Sequence, residues 1–329
     1  MAVTVTQLAA FGAVVRHGSV TAAAEELVVT QPSVSAAVAA LERELGVKLT
    51  ERVGRNVRPT PAGEAYSRYA ADILGLLHEG AEVAGEVDRG AGRRLRIAAV
   101  TTVGEHLLPP LIRAVREDHP ELQVSLHVGN REAVFNRLAT HQADVAVSGR
   151  PPDEPGFEGH AFADNEFVII TESDDPRAGR PWVPVEDLAT TPWLMREQGS
   201  GTRRLCENYL ASQQLSPPLL TLGSNGAIKN AARQGLGIAL QSRDAVELEL
   251  GFGLLATITP KGGLPKRHWY VVRSTVGPRS EPVETFSRYV RSPAAGEALA
   301  RAHGAEVEQA RKRLGGTGKR AAKPSGVKR

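Results

Sequence analysis

Residues 6–46 narrow the choice of fold more than any other stretch of this chain, because three short amphipathic runs are punctuated by stops and caps at close intervals. Thr6 to His17 places Leu8, Phe11, Val14 and Val15 on one face of a 3.6-residue period. Gly18 ends that run, and Ser19 is suited to cap the next one. Thr21 to Leu27 is short and carries Ala22, Ala23 and Ala24, which are small enough to let two helices approach closely. After Val28 and Val29, Thr30 caps a third run that tolerates Pro32 in its first turn. That run repeats Val34, Val38, Leu41 and Leu45 and then stops at Gly46. The pattern predicts a helix-turn-helix whose last helix offers its N-terminal residues to the outside.

With Val34, Val38 and Leu41 committed to a core, Gln31, Ser33, Ser35, Ala36 and Ala37 stay near the exposed side. A glutamine can pair in two places with adenine, serines can reach bases or phosphates, and a helix N-terminus favours a phosphate. Two short extended pieces follow around Gly54-Arg55-Asn56 and predict a hairpin carrying Arg52, Arg55 and Arg58. On an isolated hairpin such arginines are as often a solvated surface as a contact. Behind a helix-turn-helix they are placed to lie along phosphates or probe a minor groove.

The ordered series Gly18-Ser19-Val20-Thr21-Ala22-Ala23-Ala24, Leu27, Thr30-Gln31-Pro32-Ser33-Val34-Ser35, Leu41-Glu42, Leu45-Gly46-Val47, Leu49, Arg52 and Thr60-Pro61-Ala62-Gly63 closely resembles the N-terminal signature of LysR-type transcriptional regulators. The resemblance covers about sixty residues without a gap. It implies a winged helix-turn-helix over residues 1–60 that binds double-stranded DNA. By that match Gln31, Pro32, Ser33 and Ser35 face DNA and Arg52 sits in the wing, with Ser19, Thr30 and Arg55 as further candidate contacts. Thr50 departs from the family, which usually has phenylalanine there, so a looser wing is expected. Residues 1–60 hold six basic and five acidic side chains. So weak a charge calls for more than one reader per site.

Thr60 and Pro61 open a helical pattern that runs to about Asp88, with Tyr66, Tyr69, Ile73, Leu76, Gly80, Val83 and Val87 spaced alternately by three and four. This heptad seam predicts a linker and dimerisation helix over residues 61–92. The resemblance implies the same pairing of subunits, as a homodimer or homotetramer, with RNA polymerase as a further candidate partner.

From Arg94 the pattern changes to alternating strands and helices. Leu95–Val100, Gln123–Val128 and Asp144–Val147 read as strands. Past residue 165 the theme repeats, with strand candidates Phe167–Thr171, Trp193–Met195, Leu219–Leu222, Gly237–Gln241 and His268–Val272. Two α/β lobes over residues 93–292 are expected, with a cleft at strand C-termini. The fold class is thus α/β multi-domain: a winged helix-turn-helix, a long linker helix, and a two-lobed domain that resembles periplasmic binding proteins. Short polar segments fall at the strand–helix junctions: Thr101-Thr102, Ser148-Gly149, Ser200-Gly201-Thr202-Arg203 and Ser224-Asn225. Hydroxyls, free N–H groups and a guanidinium there suit a small anion. Ordinary capping explains any one of them alone, but not four around one cleft. The region also resembles the effector domain of LysR-type regulators, and that resemblance implies that Thr101, Thr102, Ser148, Ser200, Thr202 and Arg203 border the effector cleft, with Asn130, Gly149 and Asn225 as further expected contacts. Arg196-Glu197 with the Gly-Ser-Gly-Thr-Arg run looks most like the family branch that contains regulators of carbon fixation, with sulfur-metabolism regulators nearby.

No enzyme chemistry is legible. The sequence lacks a GxxxxGK[ST] phosphate loop, a GxSxG elbow and an HExxH helix, and Arg204 stands where a dinucleotide loop needs its third glycine. No cofactor and no metal are expected. A single cysteine, Cys206, excludes an intrachain disulfide, and neither a signal peptide nor a membrane span is legible, so a cytoplasmic protein is expected. Residues 311–329 hold eight basic and no acidic side chains; taking those eight from the net charge of +3 leaves −5. Residues 293–329 therefore read as an extension with a basic tail. A ligand-controlled regulator is the first reading. A solute-binding protein conflicts with the absent export signal, and a non-specific DNA coat would work through the tail.

Overall fold

The computed structural model describes residues 2–54, 56–88, 93–278 and 280–302, and of the linker helix no side chain beyond residue 85. Arg55, the side chain of Val87 and the basic tail at 311–329 lie outside the described residues.

The N-terminal unit packs α1 (Val5–His17), α2 (Val20–Leu27) and α3 (Gln31–Leu45) around Phe11, Val14, Ala23, Val34 and Leu41. Thr4 opens α1 two residues before the expected start, and its hydroxyl and the Gln7 side chain cap each other's backbone N–H groups. Ser19 and Thr30 cap α2 and α3 as the sequence suggests, and Gly18 and Gly46 end α1 and α3 with positive φ. The wing is the antiparallel pair β1 (Thr50–Val53) and β2 (Asn56–Pro59). Val57 donates to the Gly18 carbonyl at 2.8 Å, tying the wing to the first turn.

The expected looseness at Thr50 is absent, because Glu42 holds that end of the wing. Its Oε1 accepts from Leu49 N–H at 3.0 Å and from Thr50 N–H and hydroxyl at 3.1 Å each, while Oε2 accepts from Lys48 at 2.6 Å. Burial alone would raise this carboxyl, but these donors hold it below its ordinary range.

Helix α4 (Pro61–Asp88) is rooted in the first unit by Tyr66, whose ring lies 6.0 Å from that of Phe11. Its seam does not all point one way. Leu76 turns to the next domain, where a Cβ on Gly277 would come within 2.7 Å of it, while Tyr69, Ile73, Leu77 and Val83 stay exposed.

The first lobe has a five-stranded sheet in the order β4 (Gln123–Gly129), β3 (Arg94–Val100), β5 (Val145–Ser148), β12 (Arg267–Ser274), β6 (Phe157–Asn165). The first three strands are parallel, and β12 runs antiparallel to both neighbours. Strand alternation sends Ile97 and Ala99 to one face, under α5 (Leu108–Asp118) and α10 (Glu281–Val290), and Ala98 to the other, under α6 (Arg131–Ala139). Residues 293–302, assigned by sequence to an extension, are helical and bury Ala295 and Ala298.

In the second lobe β7 (Phe167–Thr171) is buried throughout, between β10 (Ala239–Ser242) and β11 (Ala256–Ile258). The parallel pair β8 (Trp193–Met195) and β9 (Leu219–Thr221) joins it through Leu194 N–H to Ile238 C=O at 2.8 Å. Two helices, α7 (Gly201–Ser212) and α8 (Asn225–Arg233), cover its faces, and the short α9 (Glu247–Gly251) follows β10.

Two strands also differ from the sequence expectation. The strand at His268–Val272 belongs to the first lobe, because the chain returns across the cleft after β11. Strand β6 was unforeseen, since Phe157-Glu-Gly-His-Ala-Phe-Ala-Asp-Asn165 is a polar edge strand whose partner is that same returning β12. The chain thus crosses between lobes twice, between β6 and β7 and between β11 and β12.

The linker helix lies against the first lobe. His141, buried after α6, has Nε2 at 3.1 Å from Asp72 and Nδ1 at 3.5 Å from Glu79, both on α4. Gly75 permits this approach, because a Cβ there would sit 2.6 Å from the imidazole. Arg68 pairs with Glu154, and Glu82 bridges Arg94 at 2.8 Å and Arg96 at 2.9 Å.

Candidate functional sites

The outer face of α3 carries Gln31, Pro32, Ser33, Ser35 and Ala36, all exposed. They are exposed because Val34, Val38 and Leu41 turn the opposite side of the helix into the core. Thr30 is not a free contact: its hydroxyl accepts from Ser33 N–H at 3.4 Å and lies 2.9 Å from the Ser33 hydroxyl. Ser19 is likewise engaged, accepting from Ala22 N–H at 3.4 Å. Arg52 is exposed on β1, and Arg58 is exposed on β2 opposite Glu51. A helix and a basic wing exposed side by side are what a major groove and its flanking phosphates accept.

The second site is a cavity of about 370 Å³ between the two lobes. Thr101 and Thr102 reach it from the end of β3, Ser148 and Gly149 from the end of β5, and Asn130 from the junction of β4 and α6. Ser200 and Thr202 reach it from the start of α7. Two of these groups are already committed as caps, Asn130 accepting from Ala133 N–H at 2.9 Å and Ser200 from Arg203 N–H at 3.5 Å. The N-termini of α6 and α7 thus open on the same space, where their unpaired N–H groups favour negative charge.

Arg203 and Asn225 do not line the cavity. Arg203 turns back along α7, paired with Glu207 at 2.7 Å and donating to the Arg196 carbonyl at 2.8 Å. Asn225 lies buried behind Thr102, to which its amide donates at 3.2 Å.

The strongest charges in the cavity were missed by sequence. Arg131, Arg204 and Arg267 all line it without an ion-pair partner among the described residues, while of the other lining charges Arg150 and Asp153 offset each other in number. Burial, and then the nearby Arg204 and Arg267 charges, bring Arg131 down to about 10; burial and Arg204 lower Arg267. Arginine is so strongly basic that such lowering marks a crowded, under-neutralised cluster. Arg196, by contrast, is balanced by both oxygens of Glu197 at 2.7 and 2.9 Å. Arg131 left a trace in the sequence, since a cation in the first turn of a helix opposes the helix dipole and asks for a reason. Arg204 sits beside the expected Arg203, one helical step away. Arg267 could not be assigned, because its place depends on the returning strand. Asn165, 3% exposed at the crossover to the second lobe, also borders the cavity with an Oδ1 that no group among the described residues satisfies.

The single cysteine takes no part. Cys206 is buried in α7, and burial and Glu207 push its thiol up to about 12, so little reactive thiolate exists at neutral pH. No described helix is long and apolar enough to cross a membrane.

Comparison with known proteins places both sites in a common frame. Residues 5–64 match the bacterial regulatory helix-turn-helix protein of the lysR family, and residues 88–295 match the LysR substrate binding domain. The chain is 36% identical over 296 residues to the RuBisCO operon transcriptional regulator of Allochromatium vinosum, covering 90% of this chain and 98% of that protein. It is 34% identical over 288 residues to the transcriptional activator CmpR of Synechocystis, covering 87% of this chain and 94% of the relative. Among solved structures, the regulatory domain of Synechocystis CcmR in complex with 2-PG superposes with a TM-score of 0.57 at 32% identity, covering 60% of this chain and 95% of that one. A Corynebacterium glutamicum OxyR C206 mutant superposes with a TM-score of 0.59 at 26% identity, over 93% of this chain and 96% of that one.

Proposed function

The chain belongs to the LysR family of transcriptional regulators, and from that premise we propose that its DNA binding is controlled by a small, multiply charged anion of the phosphorylated-carboxylate class. The observation that carries this reading is the set of three arginines, Arg131, Arg204 and Arg267, gathered on the cavity without an ion-pair partner among the described residues. A phosphate monoester and a carboxylate together bring nearly three negative charges at neutral pH, enough to balance them. The volume of about 370 Å³ suits a small metabolite. The binding of 2-PG by the similar CcmR domain supports the same class.

A ligand held between two lobes changes their preferred arrangement only if it binds one arrangement better. The first lobe carries the docking site for α4 through His141 and Glu154, so lobe position and reader position are mechanically joined. Two copies paired through the exposed Tyr69, Ile73, Leu77 and Val83 of α4 would read two half-sites, which the modest charge of one reader calls for. Such a regulator acts where the DNA is, in the cytoplasm, with RNA polymerase as the partner that reads its position.

Titration calorimetry with 2-PG, glycolate and inorganic phosphate, followed by footprinting on the upstream DNA, tests the reading. Binding of 2-PG at least about tenfold tighter than either half, with a changed footprint, is expected. An unchanged footprint at saturation would refute control by this anion, and equal affinity for phosphate alone would refute the two-ended ligand.

A further inference from the structure

In the cavity wall, one chain of hydrogen bonds crosses from the second lobe to the first, with only its middle member, Asn225, set back from the cavity. Arg196, 6% exposed, holds Glu197 with its Nε and Nη2 and donates through Nη1 to Asn225 Oδ1 at 2.5 Å. Asn225, 3% exposed at the first position of α8, donates from Nδ2 to Thr102 Oγ1 at 3.2 Å. Thr102, 6% exposed at the end of β3, borders the cavity.

The directions in this chain are fixed by chemistry. Arginine only donates, so the Asn225 oxygen must face it. The Asn225 NH₂ must then face Thr102, and because it also only donates, the Thr102 hydroxyl must accept. The hydroxyl proton is therefore turned away from Asn225, and no acceptor for it exists among the described residues. The remaining open direction is the cavity.

We propose that Asn225 is a positioning residue for the effector: by occupying the acceptor side of Thr102 it commits that hydroxyl to donate to an anion in the cleft, and it locks this orientation only while the lobes are together. The inference rests on the anion reading of the cavity. It assigns to Asn225 a role one step behind the ligand, and to the Arg196–Glu197 pair the task of setting the amide's orientation. A ligand that presents only donors at Thr102 is disfavoured, because it leaves the hydroxyl proton without an acceptor. Hydrogen bonds in such a series polarise one another, so the last donor is strengthened by the cation at the far end.

Asn225→Asp separates orientation from latching. An aspartate preserves shape, strengthens the contact to Arg196, and can still bond Thr102, but only as an acceptor, so the hydroxyl proton is drawn away from the cleft. The measurement is the affinity of the full-length protein for 2-PG by calorimetry, for wild type, Asn225→Asp, Thr102→Val, Thr102→Ser and the double variant Thr102→Val/Asn225→Asp. Asn225→Asp and Thr102→Val should each weaken binding by about tenfold, the typical scale of a hydrogen bond to a charged group. The double variant should be weakened by about tenfold in total, like either single variant, rather than about a hundredfold, because both changes remove the same donor. Thr102→Ser should stay near wild type. Additive losses would mean that the new carboxylate merely repels the anion and would overturn the proposal, as would an Asn225→Asp variant of wild-type affinity. If wild type binds neither 2-PG nor inorganic phosphate, the anion reading itself falls and the proposal with it.

Discussion

Glu42 offers the sharpest test of how the DNA reader is held together. Replacing it by alanine removes the acceptor for the N–H groups of Leu49 and Thr50 and for the Thr50 hydroxyl. Leu49 is buried, so its N–H loses its partner with no water to replace it, while the half-buried Thr50 recovers part of its loss from solvent. An unpaired buried donor costs about 1–3 kcal/mol, which puts Glu42→Ala at about 2–4 kcal/mol. Lys48, 79% exposed, adds little, since its ammonium returns to water. Glu42→Gln keeps a carbonyl oxygen for the Leu49 and Thr50 donors and loses the charge and the exposed Lys48 contact, so about 1 kcal/mol is expected. Because the chain has several domains, a global unfolding curve would mix transitions, and amide exchange at Leu49 and Thr50 is the better assay. The alanine variant should lose protection there by roughly 30- to 1,000-fold and the glutamine variant by about fivefold, which is 2–4 and about 1 kcal/mol respectively. DNA affinity should fall in the same order, since the wing carries Arg52 and Arg58. The pH dependence has a definite sign: a carboxyl lowered in the folded state stabilises the wing above its ordinary range, and that contribution disappears as pH falls through the lowered value. Equal protection in the two variants would refute the argument that unsatisfied buried donors, rather than charge, set the cost.

Arg267→Gln should abolish high-affinity binding of 2-PG while raising the melting temperature of the ligand-free protein, because it removes repulsion from Arg204; calorimetry and thermal scanning read the two effects. Ile73→Asp should lower the mass in solution by light scattering, since it places a charge in the exposed apolar stripe of α4. Asp175, held down to about 2 first by Arg177 and also by Thr171, should stabilise the second lobe at neutral pH and cease to do so as pH falls from about 4 towards 2, as near-ultraviolet dichroism would follow. Val28, 89% exposed with φ of +55°, is a β-branched residue in the left-handed region, so Val28→Gly should stabilise the reader by about 1 kcal/mol in local exchange.

Elements whose causes are local could be read from the amino-acid order alone. Caps at Ser19 and Thr30, glycine stops at Gly18 and Gly46 and the 3.6-residue repeat from Val34 to Leu45 act within a few residues of chain, so the helix-turn-helix was legible down to its exposed face. Hydroxyls at strand ends were legible for the same reason, which is why Thr101, Thr102, Ser148, Ser200 and Thr202 meet in one cavity. Tertiary structure decided whatever depends on the path between distant segments. The return of β12 to the first sheet brought Arg267 into the same cavity as Arg131 and Arg204, which lie 136 and 63 residues earlier in the chain, and made the cation cluster. Choosing Arg204 over Arg203 required knowing which way α7 faces, and moving Asn225 from ligand contact to support required the depth of the cleft. Glu42 reads as one more polar residue on a helix until the wing folds back onto it, and Gly75 as an interruption of a seam until His141 is packed against it. Periodicity and capping are properties of neighbours in sequence; charge balance and burial are properties of neighbours in space, and only the folded chain supplies those.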